Sequence, residues 1–276
     1  MKLALCNEVL RHLSLDAQCE MAAQLGYQGL EVAPFTLFQD ARELDERLAA
    51  RARASAQAQG LLISSLHWLL VKPEGLSMVT PDEGVRQATL DWIRRLIAFA
   101  QHCGARVLVH GSPAQRNPQA GQSLADAHAR LEDSLRRLAP WAQAAGVTYC
   151  LEPLSRVETS VVNTVQEAAQ MIARVGSPAV RTMLDASAAS QAESEPIAQV
   201  LARHLDTGDI AHVQVNDKNR RGPGQGDTDL LPLVRVLRER QYTGWVAVEP
   251  FEYRPDGATT AAFSAGHMQA LWRATA

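Results

Sequence analysis

Two kinds of segment alternate eight times along the chain, and this alternation constrains the fold more than any other feature. Short runs rich in aliphatic and β-branched residues are each followed by a longer Ala-, Leu- and Arg-rich segment with helical spacing of its apolar residues. The predicted strands are 3–9, 27–34, 61–68, 106–112, 147–153, 180–187, 210–217 and 244–251. The predicted helices are 14–25, 40–59, 82–103, 121–145, 163–175, 193–206, 229–241 and 257–273.

The alternation predicts an α/β fold, a single (β/α)8 TIM barrel that takes in residues 1–276 as one domain. The length of 276 residues is close to the roughly 250 that such a barrel needs. No Pro-, Gly- or Ser-rich linker divides the chain, and no GxGxxG motif follows the first strand, which argues against an open dinucleotide-binding sheet. We therefore expect the active site at the carboxyl ends of the strands, where the loops of such barrels bind substrates.

The charge balance and apolar runs narrow the possible partners. The 27 Lys and Arg residues against 30 Asp and Glu residues argue against binding to nucleic acid. No stretch of about 18 apolar residues predicts a membrane span, and the first apolar run is too short for a secretory signal. The four cysteines form no CxxC pair and are expected to be buried thiols. We expect a cytoplasmic protein.

Polar residues occupy the carboxyl ends of the predicted strands, where a buried apolar strand would not be expected to contain them. From the second strand to the eighth these residues are Glu31, His67, His110, Glu152, Asp185, Gln214 and Glu249. Unpaired buried carboxylates cost several kcal/mol or take up protons. A bound divalent cation would neutralise them.

Glu152, Asp185, Gln214 and Glu249 come from strands five to eight, which are adjacent around half of the barrel mouth. Three carboxylates and one amide oxygen are a hard, all-oxygen set that suits one Mn²⁺ or Mg²⁺ ion, with Co²⁺ as a further option. The alternative is that each acid pairs with a neighbouring Arg or Lys, or caps a helix. Four such residues at equivalent strand ends favour the metal site.

A cation of this kind can acidify a C–H bond that lies between a substrate carbonyl and an adjacent hydroxyl, through an enediolate held by the ion. Glu152 and Glu249 can then reach the substrate from opposite faces and act as the catalytic acid and base. Removal of a proton on one face of the substrate and return of a proton on the other face gives epimerisation. Transfer between neighbouring carbons on a single face gives isomerisation, and the sequence leaves both open.

Further polar and aromatic residues are expected at the same mouth, each with an alternative. His67 and His110 would donate hydrogen bonds to a substrate oxygen. The alternative is that they are satisfied core histidines, with hydrogen-bond partners inside the protein. Trp68 would cover the carbon face of a sugar, or packs against a helix or a subunit. Glu158 would bind a substrate hydroxyl, or forms a surface ion pair. Arg220 is expected to bind a hydroxyl or carboxylate, with phosphate as the lesser option.

We expect mainly structural roles for four other residues near the strand ends. Glu31 is expected to position a histidine or an arginine rather than to bind the metal. His212 lies two positions before Gln214 and shares its side of the strand, in the inner layer of the barrel. Asn216 and Asp217 are expected to turn the chain, with contact to the substrate as the alternative.

Several segments carry a resemblance to a known family: GYQGLEV (26–32), LEP (151–153), MLD (183–185), HVQVNDKNRRGPGQGD (212–227) and VAVEPF (246–251). Over essentially its whole length the sequence resembles the xylose isomerase-like superfamily of sugar isomerases and epimerases. Ketose 3-epimerases and hydroxypyruvate isomerase are its nearest familiar relatives. The resemblance implies a homo-oligomer, a dimer or tetramer, and a small sugar or keto-acid substrate.

The resemblance also implies roles for single residues. Glu152, Asp185 and Glu249 match metal ligands, and Gln214 matches a ligand that is histidine in the ketose epimerases and glutamine in hydroxypyruvate isomerase. Glu158 and Arg220 match substrate contacts of the epimerases.

One position departs from the pattern of the epimerases. Ala188 stands where they have a substrate-contacting histidine, three residues after the ligand aspartate. This difference argues against a plain ketohexose epimerase, although it leaves the predicted metal site intact.

The sequence therefore predicts a divalent-metal-dependent isomerase or epimerase of a small keto-sugar or hydroxy-keto acid. A metal-dependent lyase of the same fold, dehydrating a keto-polyol, is the main alternative. A relative of the apurinic-site endonucleases is disfavoured, because those enzymes need three zinc ions and Ala188 and Gln214 replace their ligands. A non-catalytic sugar-binding barrel is the last alternative.

Overall fold

Eight parallel strands close into a barrel in the computed structural model, which describes residues 1–276. The strands are β1 (Lys2–Cys6), β2 (Gly29–Val32), β3 (Leu62–Leu66), β4 (Val107–His110), β5 (Thr148–Leu151), β6 (Val180–Asp185), β7 (Ile210–Val215) and β8 (Trp245–Val248). Each strand pairs with its neighbour in chain order, and pairing of β1 with β8 closes the ring. The predicted (β/α)8 barrel is confirmed.

Helices follow the strands and cover the outside of the barrel. They are α1 (Leu15–Gln24), α2 (Glu46–Ala58), α3 (Glu83–Cys103), α4 (Leu124–Ala145), α5 (Val165–Val175), α6 (Ala186–Ala192), α7 (Ile197–Asp206), α8 (Leu231–Glu239) and α9 (Gly257–Ala274). Side-chain caps begin many of them, as where Ser14 accepts a hydrogen bond from the amide of Ala17. Gly104 ends α3 in the left-handed conformation that glycine adopts without strain. No helix is long and apolar enough to cross a membrane.

The predicted boundaries need correction at the carboxyl ends of the strands. Every predicted strand runs two or three residues too far, because the chain stays buried after it leaves the sheet. After β1, for example, Asn7–Leu10 form a 3-10 turn in which Val9 and Leu10 are buried. The predicted strand 180–187 ends in the first turn of α6, a helix that the sequence did not predict. The predicted helix 40–59 begins at Glu46, where Asp45 caps it.

Side-chain alternation along the strands divides the core into two layers. Residues of one parity pack against the helices, and residues of the other parity fill the barrel. Cys150 lies two residues before Glu152, and Met183 two before Asp185, so each shares the inner face with the acid that follows. These two residues form a small buried cluster with Val107 and Val109. All four cysteines of the chain are buried free thiols, as expected.

Candidate active site

Three carboxylates converge at the carboxyl end of the barrel. Glu152 directly follows β5, Asp185 ends β6, and Glu249 directly follows β8. One oxygen from each lies within 4.8 Å of the others, and all three residues are at most 7% exposed. The parallel register carries these strand ends to the same rim, so the three acids meet as predicted.

The carboxylates lie in an environment that disfavours three negative charges. Burial, followed by the charges of Glu249 and Asp185, raises the pKa of Glu152 well above its usual range. Burial raises the pKa of Asp185 to about 7. Burial likewise raises the pKa of Glu249 to about 8, against the opposing effect of His67. Protons or a cation must therefore compensate the cluster at neutral pH.

Gln214 brings a fourth oxygen to this region. It pairs in register with Asp185 across β6 and β7 and is completely buried. Its Nε2 donates to Glu31 Oε1 at 2.5 Å, whereas its Oε1 is buried without a hydrogen-bond partner, as is Glu249 Oε2. Buried oxygens without donors are uncommon in native proteins. Two of them beside three clustered acids fit the all-oxygen coordination of a hard divalent cation.

Asp185 is held from two sides. Its Oδ1 accepts the amide of Ala188 at 2.7 Å, which caps α6, and its Oδ2 accepts Asn216 Nδ2 at 2.8 Å. Asn216 Nδ2 also donates to the carbonyl of Glu249 at 3.0 Å. The expectation that Asn216 turns the chain is wrong, because its side chain is buried and joins two acids of the cluster. Asp217 does turn the chain, with its carbonyl accepting the amide of Arg220.

His67 lies between two glutamates. Its Nδ1 is 2.9 Å from Glu249 Oε1 and its Nε2 is 2.6 Å from Glu8 Oε2. Burial lowers the pKa of His67, but the charge of Glu8 and the bond to Glu249 outweigh this effect and raise it well above its usual value. His67 borders the central cleft, yet both ring nitrogens already face carboxylates. Glu8 was not predicted in this role, because its only signal is a charge two residues beyond the end of an apolar strand.

The structure places His110 away from the central cleft. This residue ends β4 and is completely buried, with Nδ1 2.6 Å from the Tyr149 hydroxyl. Burial, followed by the charge of Arg116, lowers the pKa of His110 to about 3. The neutral ring is buried in the core, but its Nε2 has no hydrogen-bond partner, so only one of its two nitrogens is satisfied. Contact of His110 with a substrate stays a prediction.

Arg116 is the largest completely buried side chain of the protein, and no sequence signal pointed to it. Its Nη1 donates to the carbonyl of Glu152 at 2.7 Å and to that of His110 at 3.4 Å. Burial lowers its pKa to about 10, a value at which the guanidinium stays charged at neutral pH. Arg116 therefore ties the loop after β4 to the residue that begins the loop after β5.

A cleft opens above the cluster. Its walls include Glu152, Glu249, Trp68 and Phe251. Trp68, at φ 50°, meets Phe251 edge to face with ring centroids 6.3 Å apart. The cleft therefore combines buried carboxylates with an aromatic wall, a combination typical of small-molecule sites.

Glu158 and Arg220 meet at the rim of the cleft. Arg220 Nη1 is 3.9 Å from Glu158 Oε1, and the guanidinium lies 4.5 Å from the centroid of the Phe251 ring. Glu158 borders the cleft, and its Oε2 accepts the Ser155 hydroxyl at 2.6 Å. The structure thus brings these two predicted substrate contacts together beside the cleft.

Glu31 lies below the cluster and confirms its expected role beside a histidine. Its Oε2 is 2.7 Å from His212 Nε2, and both residues are completely buried. Burial opposes ionisation of this carboxyl, but His212 and His67 outweigh it and hold the pKa of Glu31 well below its usual range. His212 lies in the inner layer, as predicted from its spacing to Gln214.

Comparison with known sequences identifies the class of protein to which this fold and this site belong. A family model described as the xylose isomerase-like TIM barrel matches residues 19–271, and the chain belongs to this family. The resemblance inferred from the sequence is confirmed.

Individual relatives are sugar epimerases and isomerases. The chain is 27% identical to D-psicose 3-epimerase of Ruminiclostridium cellulolyticum, over 84% of its own length and 76% of that protein. It is 26% identical to hydroxypyruvate isomerase of Escherichia coli, over 89% and 90% of the two chains. A match to the protein named probable ketose 3-epimerase of Synechocystis covers 62% of that protein, which is less than two thirds. A crystal structure of D-psicose 3-epimerase in the presence of D-fructose has the same fold, with a TM-score of 0.82 at 20% identity and 99% coverage of both chains.

Proposed function

We propose that this protein is a divalent-metal-dependent epimerase or isomerase of a small keto-sugar or hydroxy-keto acid. The observation that carries the proposal is the cluster of Glu152, Asp185 and Glu249, whose oxygens lie within 4.8 Å of one another. Two of these acids also border the cleft. Buried acids that face a cleft and have raised pKa values are typical of catalytic sites.

Glu152, Asp185, Gln214 and Glu249 would hold the cation, through three carboxylates and the unpaired amide oxygen of Gln214. Mn²⁺ or Mg²⁺ suits this donor set, and Co²⁺ is a further candidate. When bound, such an ion supplies positive charge that stabilises negative charge developing on substrate oxygens.

Glu152 and Glu249 would move the proton. They follow β5 and β8, which lie three strands apart in the ring, and both border the cleft. Their carboxylates therefore reach a substrate from different sides of the barrel mouth. One acid removes a proton from the carbon beside the carbonyl. In an epimerisation the other acid returns a proton to the opposite face of that carbon. In an isomerisation the first acid returns the proton to the neighbouring carbon on the same face, and the hydroxyl proton moves to the former carbonyl oxygen.

The rim and wall of the cleft would orient the substrate. Glu158 and Arg220 provide an acceptor and a set of donors for hydroxyl groups or a carboxylate. Trp68 and Phe251 provide an apolar surface for the carbon face of a sugar. His67 contributes by holding Glu249 in place.

The relatives support a small polyhydroxy carbonyl compound as the substrate. They include proteins named for D-psicose, fructoselysine and hydroxypyruvate, all of which carry a carbonyl next to a hydroxylated carbon.

Exchange of carbon-bound hydrogen tests the proposal. The protein loaded with Mn²⁺ is incubated in D₂O with D-fructose, D-psicose, hydroxypyruvate and a 3-keto-glycoside, and deuterium incorporation is followed by proton NMR. At least one compound is expected to exchange its hydrogen beside the carbonyl only in the presence of metal. Glu152→Gln and Glu249→Gln are expected to abolish exchange, and Glu158→Gln to weaken substrate binding.

Two results would overturn the proposal. No metal-dependent exchange with any compound would exclude an epimerase or isomerase of this substrate class. A growing enone absorbance without epimer or isomer would assign the lyase reaction instead, because loss of a neighbouring hydroxyl then follows proton removal.

A further inference from the structure

Polar contacts in the barrel interior converge on Glu31, a residue of β2 outside the four proposed ligands. One of its oxygens, Oε1, accepts Gln214 Nε2 at 2.5 Å and Cys6 Sγ at 3.3 Å. The other, Oε2, accepts the Ser65 hydroxyl and lies 2.7 Å from His212 Nε2. Hydrogen-bond donors therefore occupy both oxygens of this completely buried carboxylate.

The amide of Gln214 can take two orientations that differ in which atom faces Glu31. The end of a glutamine side chain carries one acceptor oxygen and one donor NH₂ group. A carboxylate surrounded by donors accepts hydrogen bonds and offers none, so only Nε2 can satisfy it at 2.5 Å. The opposite orientation would place two acceptor oxygens in contact in a buried site, where unpaired polar groups are costly.

The orientation that Glu31 permits leaves Gln214 Oε1 buried and without a hydrogen-bond partner. Gln214 pairs in register with Asp185, an acid of the cluster. We propose that Glu31 is a positioning residue that selects the amide orientation of Gln214, so that its oxygen and not its nitrogen is available to a divalent cation. This inference rests on the proposed function, because it requires the cation site.

The first experiment removes the preference for one amide orientation of Gln214 and changes the shape of the side chain at position 31 very little. In Glu31→Gln, residue 31 can offer an N–H group to Gln214 Oε1, so both orientations of Gln214 find a partner. Mn²⁺ affinity, measured by isothermal titration calorimetry, is expected to fall about 10- to 100-fold, the usual effect of losing a group that orients a metal ligand. Ser65→Ala is the matched control: it removes another hydrogen bond to Glu31, keeps the one to Gln214, and should change the affinity less than threefold.

The second experiment exchanges the two side chains. In Glu31→Gln/Gln214→Glu, the amide at position 31 can donate to the carboxylate at position 214, and its oxygen can still accept the Ser65 hydroxyl. The two oxygens of a carboxylate are equivalent, so no orientation needs to be selected. We expect the double variant to bind Mn²⁺ at least as tightly as the wild type, a recovery that a merely structural role of Glu31 would not produce.

The outcomes separate this inference from the proposed function. Failure of the wild type to bind Mn²⁺ would overturn the cation site and the role of Glu31 with it. Wild-type affinity in Glu31→Gln, or an unrecovered loss in a folded double variant, would overturn the role of Glu31 alone.

A measurement on the wild type covers the case in which the variants do not fold. With Mg²⁺ bound, the Gln214 side-chain amide protons are expected to stay protected from exchange with water, because they remain bonded to Glu31. Rapid exchange of these protons would overturn the inference.

Discussion

Binding of a divalent cation at pH 7 is expected to release more than one proton from the protein. The perturbation is the addition of Mn²⁺ to the metal-free enzyme, and the protons come from the cluster of Glu152, Asp185 and Glu249. Carboxylates bind a metal in their deprotonated form, so protons that the cluster holds must leave.

The magnitude follows from the raised pKa values. At pH 7 a carboxyl with a pKa of about 8, as for Glu249, is roughly nine-tenths protonated. One with a pKa of about 7, as for Asp185, is roughly half protonated. Glu152, whose pKa is also raised, adds to this total, so the cluster releases at least about 1.4 protons. The sign is fixed: protons compete with the cation, so its apparent affinity falls as the pH falls, by at least about fiftyfold from pH 7 to pH 6.

Calorimetry measures this number directly. Mn²⁺ is titrated at one pH in buffers of different ionisation enthalpy, and the slope of the observed enthalpy against the buffer enthalpy gives the protons released. We expect at least about 1.4 at pH 7 and about one fewer at pH 8.5, where Asp185 and Glu249 are mostly ionised. Asp185→Asn should release about half a proton less than the wild type at pH 7. Glu158→Gln should lower the number, because the charge of Glu158 raises the pKa of both Glu152 and Asp185.

Two results would refute the reasoning. Release of fewer than about half a proton at pH 7 would mean that the acids are already ionised before the cation arrives. A number that stays constant between pH 7 and pH 8.5 would mean that the released protons come from groups outside the cluster.

Three other substitutions have defined expected effects. An alanine Cβ at Gly111 would overlap Glu152 Oε2, so Gly111→Ala should weaken Mn²⁺ binding by at least about tenfold in a calorimetric titration. Arg116→Met removes the donor to the Glu152 carbonyl and should lower the free energy of unfolding by about 1.5–3 kcal/mol in urea titrations; an unchanged midpoint would contradict this. Trp68→Ala removes the ring that faces Phe251 and should raise KM about tenfold with kcat and Mn²⁺ affinity unaltered; a fall in kcat alone would contradict it.

The fold could be predicted because a parallel barrel leaves a strong pattern in the sequence. Strands buried on both faces produce apolar runs, and amphipathic helices separate them. The ends of the strands could not be predicted, since burial continues beyond the last ladder hydrogen bond, as for Val9 and Leu10. Helix α6 was missed because its sequence, ASAASQA, has little amphipathic pattern and begins directly at the Asp185 cap.

The three acids of the cluster could be predicted because parallel strands carry their carboxyl ends to one rim. The residues that hold them could not. Glu8, Arg116 and Asn216 come from loops or turns, and each contacts a partner at least 29 positions away in sequence. Such contacts depend on how loops fold over the barrel mouth, which no local periodicity reports. The same reason explains why the pairing of both His67 nitrogens with glutamates was not foreseen.

Closure of the ring sets the order in which the site can form during synthesis. Glu249 and its partner His67 are 182 positions apart, and Gln214 and Glu31 are 183 apart. A nascent chain on the ribosome exposes Glu152 and Asp185 while the last acid is still untranslated. Tight binding of a metal ion at the proposed site would therefore wait until β8 has emerged and joined β1, late in synthesis or after it.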